Sequence, residues 1–472
     1  MTLPEDFVKD LSAYMEEKEF QSFIHAISDT EQTTCIRMNP KKGMTEDKLP
    51  KIDNGNKNEV SPIGWNPNEG RYMKERPVFT TDPLLHAGCY YVQEASSQFV
   101  AHIIRTLVKE PVTALDLCAA PGGKSTALLS SLPEDSQLVS NEIDRRRARI
   151  LSENVTKWGS PEVSVTCNAP KDFRKLRNVF DLILTDVPCS GEGMFRKDEG
   201  AIKDWSKEKM EGCTALQREI VETIWPCLKP GGLLIYGTCT FNVHEDEENI
   251  AWICETLGGT CIEVPTEAAW NIHKPLIGNY PCYRFMPHYT QGEGLFMACI
   301  RKDCDEEEFI IERKSKNTNN KGAKQTVNKN KIPLPKVDFK QWTNIDGTIE
   351  QTPEGGIRLI PNSHKSLHDA LVGEGLYLLQ SGIELGTIKG KDFIPAHALA
   401  LSTALKEDAF PRVSVDLETA LNYLRREAIV LPDGSPVGYV LICYENHPIG
   451  FVKNMGNRSN NLYPQEWRIR FC

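Results

Sequence analysis

Between residues 113 and 240, short apolar runs alternate with segments of helical pattern. The apolar runs are TALDLCAA, QLVSNEI, VSVTCN, FDLILTDV and GGLLIYGTCT, and the helical segments include KSTALLSSL and RRRARILSENVTKWG. Strands that alternate with helices predict an α/β fold whose largely parallel sheet is covered on both faces. Ligands of such sheets bind outside the carboxyl ends of the strands, so functional residues are expected directly after the apolar runs.

The 472 residues are about three times a common domain length, which predicts several domains. We place a small N-terminal α+β module at residues 1–95 and the α/β domain at residues 96–302. Residues 303–336 are predicted to be a charged flexible linker. The stretch from Arg313 to Lys336 holds eight basic residues, no acidic ones and too few apolar side chains to fold alone. Residues 337–472 are expected to form one or two accessory domains.

Charge and apolar content exclude several classes of protein. The net charge of −10 argues against a protein that coats nucleic acid, so any RNA contact must come from local basic patches. No run approaches the roughly 18 apolar residues of a membrane helix, and the start MTLPEDFVKD is acidic where a secretory signal is basic. Fifteen scattered cysteines without C-x-x-C spacing argue against a disulfide framework and a zinc site. We therefore expect a soluble, cytoplasmic protein without a metal.

The segment from Leu115 to Ser125, LDLCAAPGGKS, follows the first predicted strand and opens a helix. Its glycines allow a ligand to approach backbone N–H groups at the positive end of that helix. The spacing is neither a Walker P-loop nor G-x-G-x-x-G. Glu142 ends the second predicted strand, where a carboxylate can accept hydrogen bonds from the ribose hydroxyls of a nucleoside cofactor. A tight turn without a ligand is the alternative.

Two cysteines follow strand ends at the same predicted edge of the sheet. Cys189 stands in TDVPCSGEG after the run FDLIL, and Cys239 stands in YGTCT after the run GGLLI. A cysteine is most often a small buried apolar residue. Two thiols at the ligand edge of one sheet instead favour a role in nucleophilic chemistry.

Together these motifs resemble the Sun/RsmF family of S-adenosylmethionine-dependent RNA cytosine-5 methyltransferases. Four motifs carry the resemblance: LDLCAAPGGKS, the NE at 141–142, DVPCSGEGMFRKD and YGTCTFNVHEDEENI. Further segments that look like the family lie at 37–40, 86–98, 284–298, 395–401, 450–456 and 461–468. The resemblance covers most of the chain apart from the linker. It implies a Rossmann-like methyltransferase core with the small N-terminal module and a PUA-like C-terminal region.

The resemblance also implies how the residues share the chemistry. C5 of cytosine is a poor nucleophile until a thiolate adds to C6. By resemblance, Cys239 matches the attacking nucleophile and Cys189 matches the cysteine that assists release of the product. Asp186 would bond the N3/N4 edge of cytosine, and Lys124 would lie near both cofactor and base. The residues alone leave open which cysteine attacks, because DNA cytosine-5 methyltransferases use a cysteine that follows proline, as Cys189 does.

The cofactor implied by the resemblance is S-adenosyl-L-methionine. Glu142 would contact the ribose hydroxyls, Asn168 the adenine, and Asp186 the amino-acid end. Arg147 is expected to face either the cofactor or, as part of a basic helix face, the solvent. The loop residues implied to surround the methionine and ribose are Cys118, Ala119, Ala120, Pro121, Gly122, Gly123 and Lys124.

The partner implied is small-subunit ribosomal RNA or the small ribosomal subunit, and the sequence does not fix the oligomeric state. The RNA contacts are expected from Arg37, Lys41 and Lys42 in the N-terminal module, from the RRRAR helix and from the C-terminal region. Four C-terminal aromatic residues are expected to be core rather than base-stacking platforms. They are Tyr444, Phe451, Tyr463 and Trp467.

Two alternatives to this function remain at the level of sequence. One is the same chemistry on transfer RNA, or on several cytosines of ribosomal RNA. The other is a catalytically idle ribosome-assembly factor that keeps the fold for RNA binding. The presence of Cys189, Cys239, Asp186 and Lys124 counts against the idle factor, because RNA binding alone requires no thiol pair.

Overall fold

The structure is a computed structural model that describes residues 2–29, 31–52, 56–304, 339–352, 355–390 and 392–470. This part of the chain forms four sheets with helices around them. The predicted linker lies outside the described residues apart from Asp303 and Cys304. Among the helices described, none has the length and apolar character that crossing a membrane requires.

The N-terminal part consists of two helices and a four-stranded antiparallel sheet of order β2-β3-β1-β4. Phe7 and Phe23 pack edge-to-face on Phe195 and Phe241, so the first two helices cover loops that follow two strands of the central sheet. The elements are α1 (Glu5–Ser12), α2 (Glu17–Asp29), β1 (Thr34–Met38), β2 (Val60–Pro62), β3 (Gly70–Met73), α3 (Pro83–His86) and β4 (Tyr90–Val92).

The central sheet confirms the predicted α/β fold. Its order is β10-β12-β9-β8-β5-β6-β7-β15, with β11 paired to β12, and the strands from β9 to β7 are parallel. The elements from residue 99 to residue 302 are α4 (Phe99–Leu107), β5 (Thr113–Asp116), α5 (Gly123–Ser131), β6 (Gln137–Asn141), α6 (Arg145–Trp158), β7 (Val163–Thr166), β8 (Phe180–Asp186), α7 (Glu199–Asp204), α8 (Lys207–Ile224), β9 (Leu228–Thr238), α9 (Glu247–Leu257), β10 (Gly259–Cys261), β11 (Cys282–Phe285) and β12 (Leu295–Lys302).

The C-terminal part forms two four-stranded sheets, of orders β13-β14-β16-β17 and β18-β19-β20-β21. It differs from the predicted division in one respect, because β15 leaves it to pair with β7 at the edge of the central sheet. The elements are β13 (Gly347–Gln351), β14 (Gly356–Pro361), α10 (Asn362–Gly373), β15 (Leu378–Ser381), β16 (Ile383–Lys389), β17 (Asp392–Pro395), α11 (His397–Leu401), β18 (Arg412–Ser414), α12 (Leu417–Leu424), β19 (Gly438–Tyr444), β20 (His447–Asn454) and β21 (Ser459–Asn461).

The N-terminal sheet and the last C-terminal sheet share one hydrophobic core. Ile36 and Met38 of β1 belong to the same buried cluster as Ile442 of β19 and Val452 of β20. Burial of apolar surface is the main stabilising contribution to folding. The two ends of the chain therefore stabilise each other.

Candidate active site

The strand order determines where the site lies. β5 and β8 are neighbours, although the chain forms β6 and β7 between them, so their connections diverge and leave a crevice at the carboxyl ends. A cavity of about 750 Å³ opens at this edge, and its wall includes residues that follow β5, β6, β8 and β9. The predicted site residues in the wall are Cys118, Glu142, Asp186, Cys189 and Cys239.

The loop after β5 presents Cys118 to the cavity, and the residues from 119 to 124 form the turn beside it and do not line the wall. Gly122 adopts φ 111°, in the left-handed region, and a Cβ at this position would lie 3.2 Å from Leu151. Helix α5 begins at the next residue, Gly123. Glycine is needed at 122 both for this backbone conformation and for the close approach of α6.

Two buried carboxylates, one at the end of β5 and one directly after β6, have an oxygen that accepts no hydrogen bond from a described residue. Glu142 Oε1 accepts from the backbone N–H of Asp144 at 3.1 Å, whereas Oε2 has only the Arg147 guanidinium 3.3 Å away. Asp116 Oδ2 accepts from the Ser125 hydroxyl at 2.6 Å, and Oδ1 has no partner. Burial raises the pKa of Asp116 to about 7. Asp116 was not predicted as a site residue, although its position at the end of β5 is visible in the sequence.

Arg147 faces the cavity and is also half-exposed. Its guanidinium donates to the backbone carbonyl of Ala120 at 2.9 Å and forms the ion pair with Glu142. Arg147 therefore holds the loop after β5 against the acidic residue that follows β6.

Asn168 does not line the cavity, so the expectation that its side chain contacts adenine must be corrected. Its carboxamide donates to the carbonyl of Tyr377 at 3.1 Å and accepts from the N–H of Tyr377 at 2.9 Å. These bonds fix the segment that enters β15. The next residues, Ala169 and Pro170, are the ones that line the wall.

Lys124 and Asp186 form a partly buried ion pair at the other end of the cavity. Lys124 Nζ lies 2.8 Å from Asp186 Oδ2. Burial lowers the pKa of Lys124, but the charges of Asp186, Cys239 and Asp116 outweigh burial and raise it above its ordinary value. The ammonium is therefore a permanent positive charge beside the carboxylate that lines the cavity.

The two predicted cysteines lie side by side. Cys189 follows β8 and Cys239 follows β9, which are neighbouring parallel strands. Their sulfur atoms are 3.2 Å apart, and both line the cavity. The hydrogen bond to Cys239, together with burial, raises the pKa of Cys189 well above that of a free thiol. The arrangement therefore keeps a protonated thiol next to a second sulfur.

Glu192 joins the two cysteine-bearing loops. Its Oε2 accepts from the backbone N–H groups of Phe241 and Asn242, at 2.6 and 3.1 Å. Its Oε1 accepts from the Asn242 carboxamide, the Trp205 indole and the Ser190 hydroxyl, at 2.8, 3.0 and 3.2 Å. Burial, followed by the nearby Glu245, raises the pKa of Glu192 to about 7.

Glu245 completes this connection from the opposite loop. It accepts from the backbone N–H of Ser190 at 3.0 Å, from Asn242 at 2.9 Å and from Gln217 at 2.6 Å. We call Glu192 and Glu245 the carboxylate clamp. Sequence reasoning missed the clamp, since acidic residues near a motif do not reveal that they point into the protein.

The basic residues expected to contact RNA in the N-terminal module are placed differently. Arg37 is completely buried, where it donates to Thr126 at 2.6 Å and its guanidinium lies 4.4 Å from the Trp158 ring centre. Lys42 donates to two backbone carbonyls. Lys41 is exposed. The expectation of RNA contact is therefore wrong for Arg37, because its charge ties the N-terminal sheet to α5 and α6.

The expectation that the C-terminal aromatic residues are core is confirmed for Phe451 and Tyr463. Phe451 and Tyr463 are fully buried core residues, and Tyr444 and Trp467 are half-buried against the shared core.

Comparisons with known proteins agree with this fold. A family model described as 16S rRNA methyltransferase RsmB/F matches residues 106–301. The N-terminal domain model of 16S rRNA methyltransferase RsmF matches residues 3–95, and the methyltransferase RsmF PUA domain model matches residues 410–469. The chain is 28% identical over 432 residues to ribosomal RNA small subunit methyltransferase F of Escherichia coli O9:H4 (strain HS), covering 86% of this chain and 84% of the relative.

Solved structures share the fold of the central domain. The crystal structure of NSun6 from Pyrococcus horikoshii with SFG covers 64% of this chain and 99% of its own, at 18% identity and a TM-score of 0.55. A methyltransferase homolog protein from Pyrococcus horikoshii covers 64% of this chain and 100% of its own, at 24% identity and a TM-score of 0.50.

The fold and the site define an S-adenosylmethionine-dependent methyltransferase. Within that class, residues 106–301 match the RsmB/F family of 16S rRNA methyltransferases, and the flanking parts match the N-terminal and PUA domains of RsmF. The Rossmann-like core and the PUA-like region expected from the sequence are both confirmed.

Proposed function

We propose that this protein methylates C5 of cytosine in small-subunit ribosomal RNA through a transient covalent bond between Cys239 and C6 of the base. The observation that carries the proposal is the pair of thiols 3.2 Å apart in the same cavity as Glu142. Methylation of a nucleophilic nitrogen or oxygen needs no thiol. Methylation of C5 needs a nucleophile that activates the ring and a second group that assists its departure.

The residues at the other end of the cavity fit S-adenosylmethionine. Glu142 Oε2 is a buried acceptor that a ribose hydroxyl would satisfy. Ile143, 63% exposed although apolar, lines the wall and offers adenine an apolar contact. When bound, the cofactor supplies the electrophilic methyl carbon that C5 takes.

The chain's own residues then activate and release the base. The Cys239 thiolate forms a bond to C6, which makes C5 a nucleophilic enamine carbon. Asp186 holds the N3/N4 edge of cytosine, and the Lys124 ammonium is paired with its carboxylate. After methylation a base takes the C5 proton, the electrons of the C5–H bond form the C5–C6 double bond, and Cys239 leaves as a thiolate with the electrons of the C6–S bond. The Cys189 thiol donates its proton toward that leaving sulfur.

The proposed substrate follows from the relatives and from the chain's domains. The curated relatives are named ribosomal RNA small subunit methyltransferase F, and the PUA domain model matches the last sheet. Since a paired cytosine hides C6, the target base must be unpaired or extruded from its helix.

Trapping with RNA that contains 5-fluorocytosine tests the assignment of the thiols. Fluorine cannot leave C5 as a proton does, so the Cys239–C6 bond persists after methylation. We expect an adduct with wild type and Cys189→Ala, and none with Cys239→Ala. Cys213→Ala, a half-buried cysteine of α8 that does not line the cavity, is the matched control. An adduct that survives Cys239→Ala but not Cys189→Ala would reverse the roles.

Bisulfite sequencing of RNA from a deletion strain tests the substrate. We expect loss of 5-methylcytosine in small-subunit ribosomal RNA. Loss confined to transfer RNA would contradict the proposed substrate. No loss anywhere, together with no trapped adduct, would favour the catalytically idle assembly factor.

A further inference from the structure

A second cavity, of about 370 Å³, lies between α6 and the C-terminal sheets. None of the residues that line it also lines the catalytic cavity. Ser152 and Thr156 of α6 both donate to the Gln380 carboxamide oxygen of β15, at 2.9 Å each. The wall is thus built jointly by the methyltransferase domain and the C-terminal region, and its volume lies in the range of small-ligand pockets.

Two side chains in this wall have buried hydrogen-bonding atoms that no described residue satisfies. They are both ring nitrogens of His397 and the Nε of Arg358. Buried polar atoms are nearly always hydrogen-bonded in folded proteins, so these atoms require partners from ordered water or from a ligand that enters the cavity. Burial, reinforced by the charges of Lys157 and Lys42, lowers the pKa of His397 to about 3. The ring is therefore neutral and offers one donor and one acceptor.

The lining favours a ligand with both donor and acceptor edges over an anion. The Arg358 charge is already paired with Glu350 at 2.9 Å, and the carboxylates of Glu384 and Glu466 also line the wall. The Trp467 ring adds an aromatic surface. A nucleobase has polar edges and a flat face that stacks on aromatic rings. We propose that this cavity takes an unpaired nucleobase of the RNA substrate, an inference that rests on the proposed function.

The outer face of α6 supplies a path from the catalytic cavity to this one. Arg145, Arg149, Ser152 and Thr156 follow one another at spacings of four, three and four residues, so they form a single stripe along the helix. Both arginines are exposed, and neither has an ion-pair partner in the part of the chain that the structure describes. The stripe spans about 16 Å, a distance that a few nucleotides cover. Its arginines can bind phosphates, and its hydroxyls border the second cavity.

His397→Phe tests the base contact. The ring of His397 packs edge-to-face on Tyr463 and Trp467, with centroids 5.1 and 5.2 Å apart, and phenylalanine keeps this packing but removes both nitrogens. With a full-length transcript of small-subunit ribosomal RNA as the probe, we expect binding to weaken about 10-fold, as for the loss of one base contact. Thermal unfolding should be unchanged or shifted upward. Unchanged affinity in a variant that is normally folded would overturn the inference.

Arg149→Gln tests the path along α6. We expect the dependence of RNA affinity on salt concentration to fall by about one ion. Lys109→Gln is the matched control, because it removes one exposed positive charge that precedes the amino end of β5. Equal salt dependence in the two variants would contradict the path.

Photocrosslinking to wild type keeps the inference testable if a variant fails to fold. With a 4-thiouridine-substituted transcript, we expect a crosslinked peptide that contains Trp467. A map without this peptide, in a protein whose Cys239 adduct forms normally, overturns the inference and leaves the proposed function intact. A crosslink at Trp467 without any adduct contradicts the proposed function instead. Binding of free nucleosides, sensitive to His397→Phe, without the crosslink would assign the cavity to small molecules.

Discussion

The carboxylate clamp allows a sharp test of how the two thiols are positioned. Glu192 accepts five hydrogen bonds through its two carboxylate oxygens and donates none. Glutamine has the same shape but only one acceptor oxygen. Glu192→Gln therefore cannot accept both from the donors that face Oε1 and from the donors that face Oε2. If its oxygen takes the position near Phe241, its N–H₂ group faces the Asn242 carboxamide and the Trp205 indole. Each donor left without an acceptor costs about 1–3 kcal/mol, or roughly 2–6 kcal/mol for the two.

The consequence for activity is separate from the loss of stability. The clamp links the backbone after Cys189 to the backbone after Cys239, so relaxation of one loop changes the distance between the sulfurs. A displacement of about 1 Å lowers rates by about 100-fold in positioned reactions. We therefore expect the folded Glu192→Gln variant to form the 5-fluorocytosine adduct about 100-fold more slowly, with little change in cofactor affinity.

The rate of adduct formation is measured by quenching trapping reactions at successive times and separating the products on denaturing gels. Urea unfolding measures the stability. At about pH 8, above the pKa of Glu192, the wild-type carboxylate is ionised. Glu162→Gln, a half-buried carboxylate that precedes β7, is the control for loss of one charge. An adduct rate within about threefold of wild type, despite reduced stability, would show that the clamp does not position the thiols.

Three further predictions concern other parts of the chain. Glu142→Gln should weaken S-adenosylmethionine binding about 10-fold, measured by calorimetry, because the buried acceptor for the ribose is lost; unchanged affinity would remove Glu142 from the cofactor site. Arg37→Met should lower the free energy of unfolding by roughly 3 kcal/mol without altering RNA affinity of the folded protein, and reduced affinity would restore its role in RNA binding. Hydrogen bonds from His368 and Arg358 lower the pKa of Glu350 to about 2 from its ordinary value of 4.5. The ionised carboxylate therefore stabilises the folded protein above pH 4.5, and this contribution is lost as the pH falls through 2. Glu350→Gln should therefore be about 2 kcal/mol less stable than wild type near neutral pH, with a gap in urea unfolding that closes toward pH 2; a constant gap would contradict the ion pair.

The grouping of the proposed site residues in one cavity could be predicted because each one stands close to the end of its own strand. Cys239 directly follows β9, Glu142 directly follows β6, and Cys189 lies three residues beyond the end of β8. Parallel strands end at one edge, so local sequence is enough to bring these residues to one cavity.

The parts that could not be predicted depend on contacts between distant residues. Arg37 is buried because Thr126 and Trp158 surround it, and nothing in residues 37–40 themselves reveals these two contacts. Asn168 was assigned to adenine by its position after β7, whereas its amide bonds Tyr377, more than two hundred residues away. The pairing of β15 with β7 could not be predicted for the same reason, since β15 lies beyond the predicted linker.

The pairing of β15 with β7 has a consequence for biosynthesis. A ribosome releases the chain from its N-terminus, so every other strand of the catalytic sheet emerges before residues 378–381 do. Until then β7 presents unpaired backbone groups, which invite association with other chains. Almost half of the chain must still be synthesised after β7 before β15 can pair with this edge strand. A fragment that ends in the linker would leave the edge of β7 unpaired permanently.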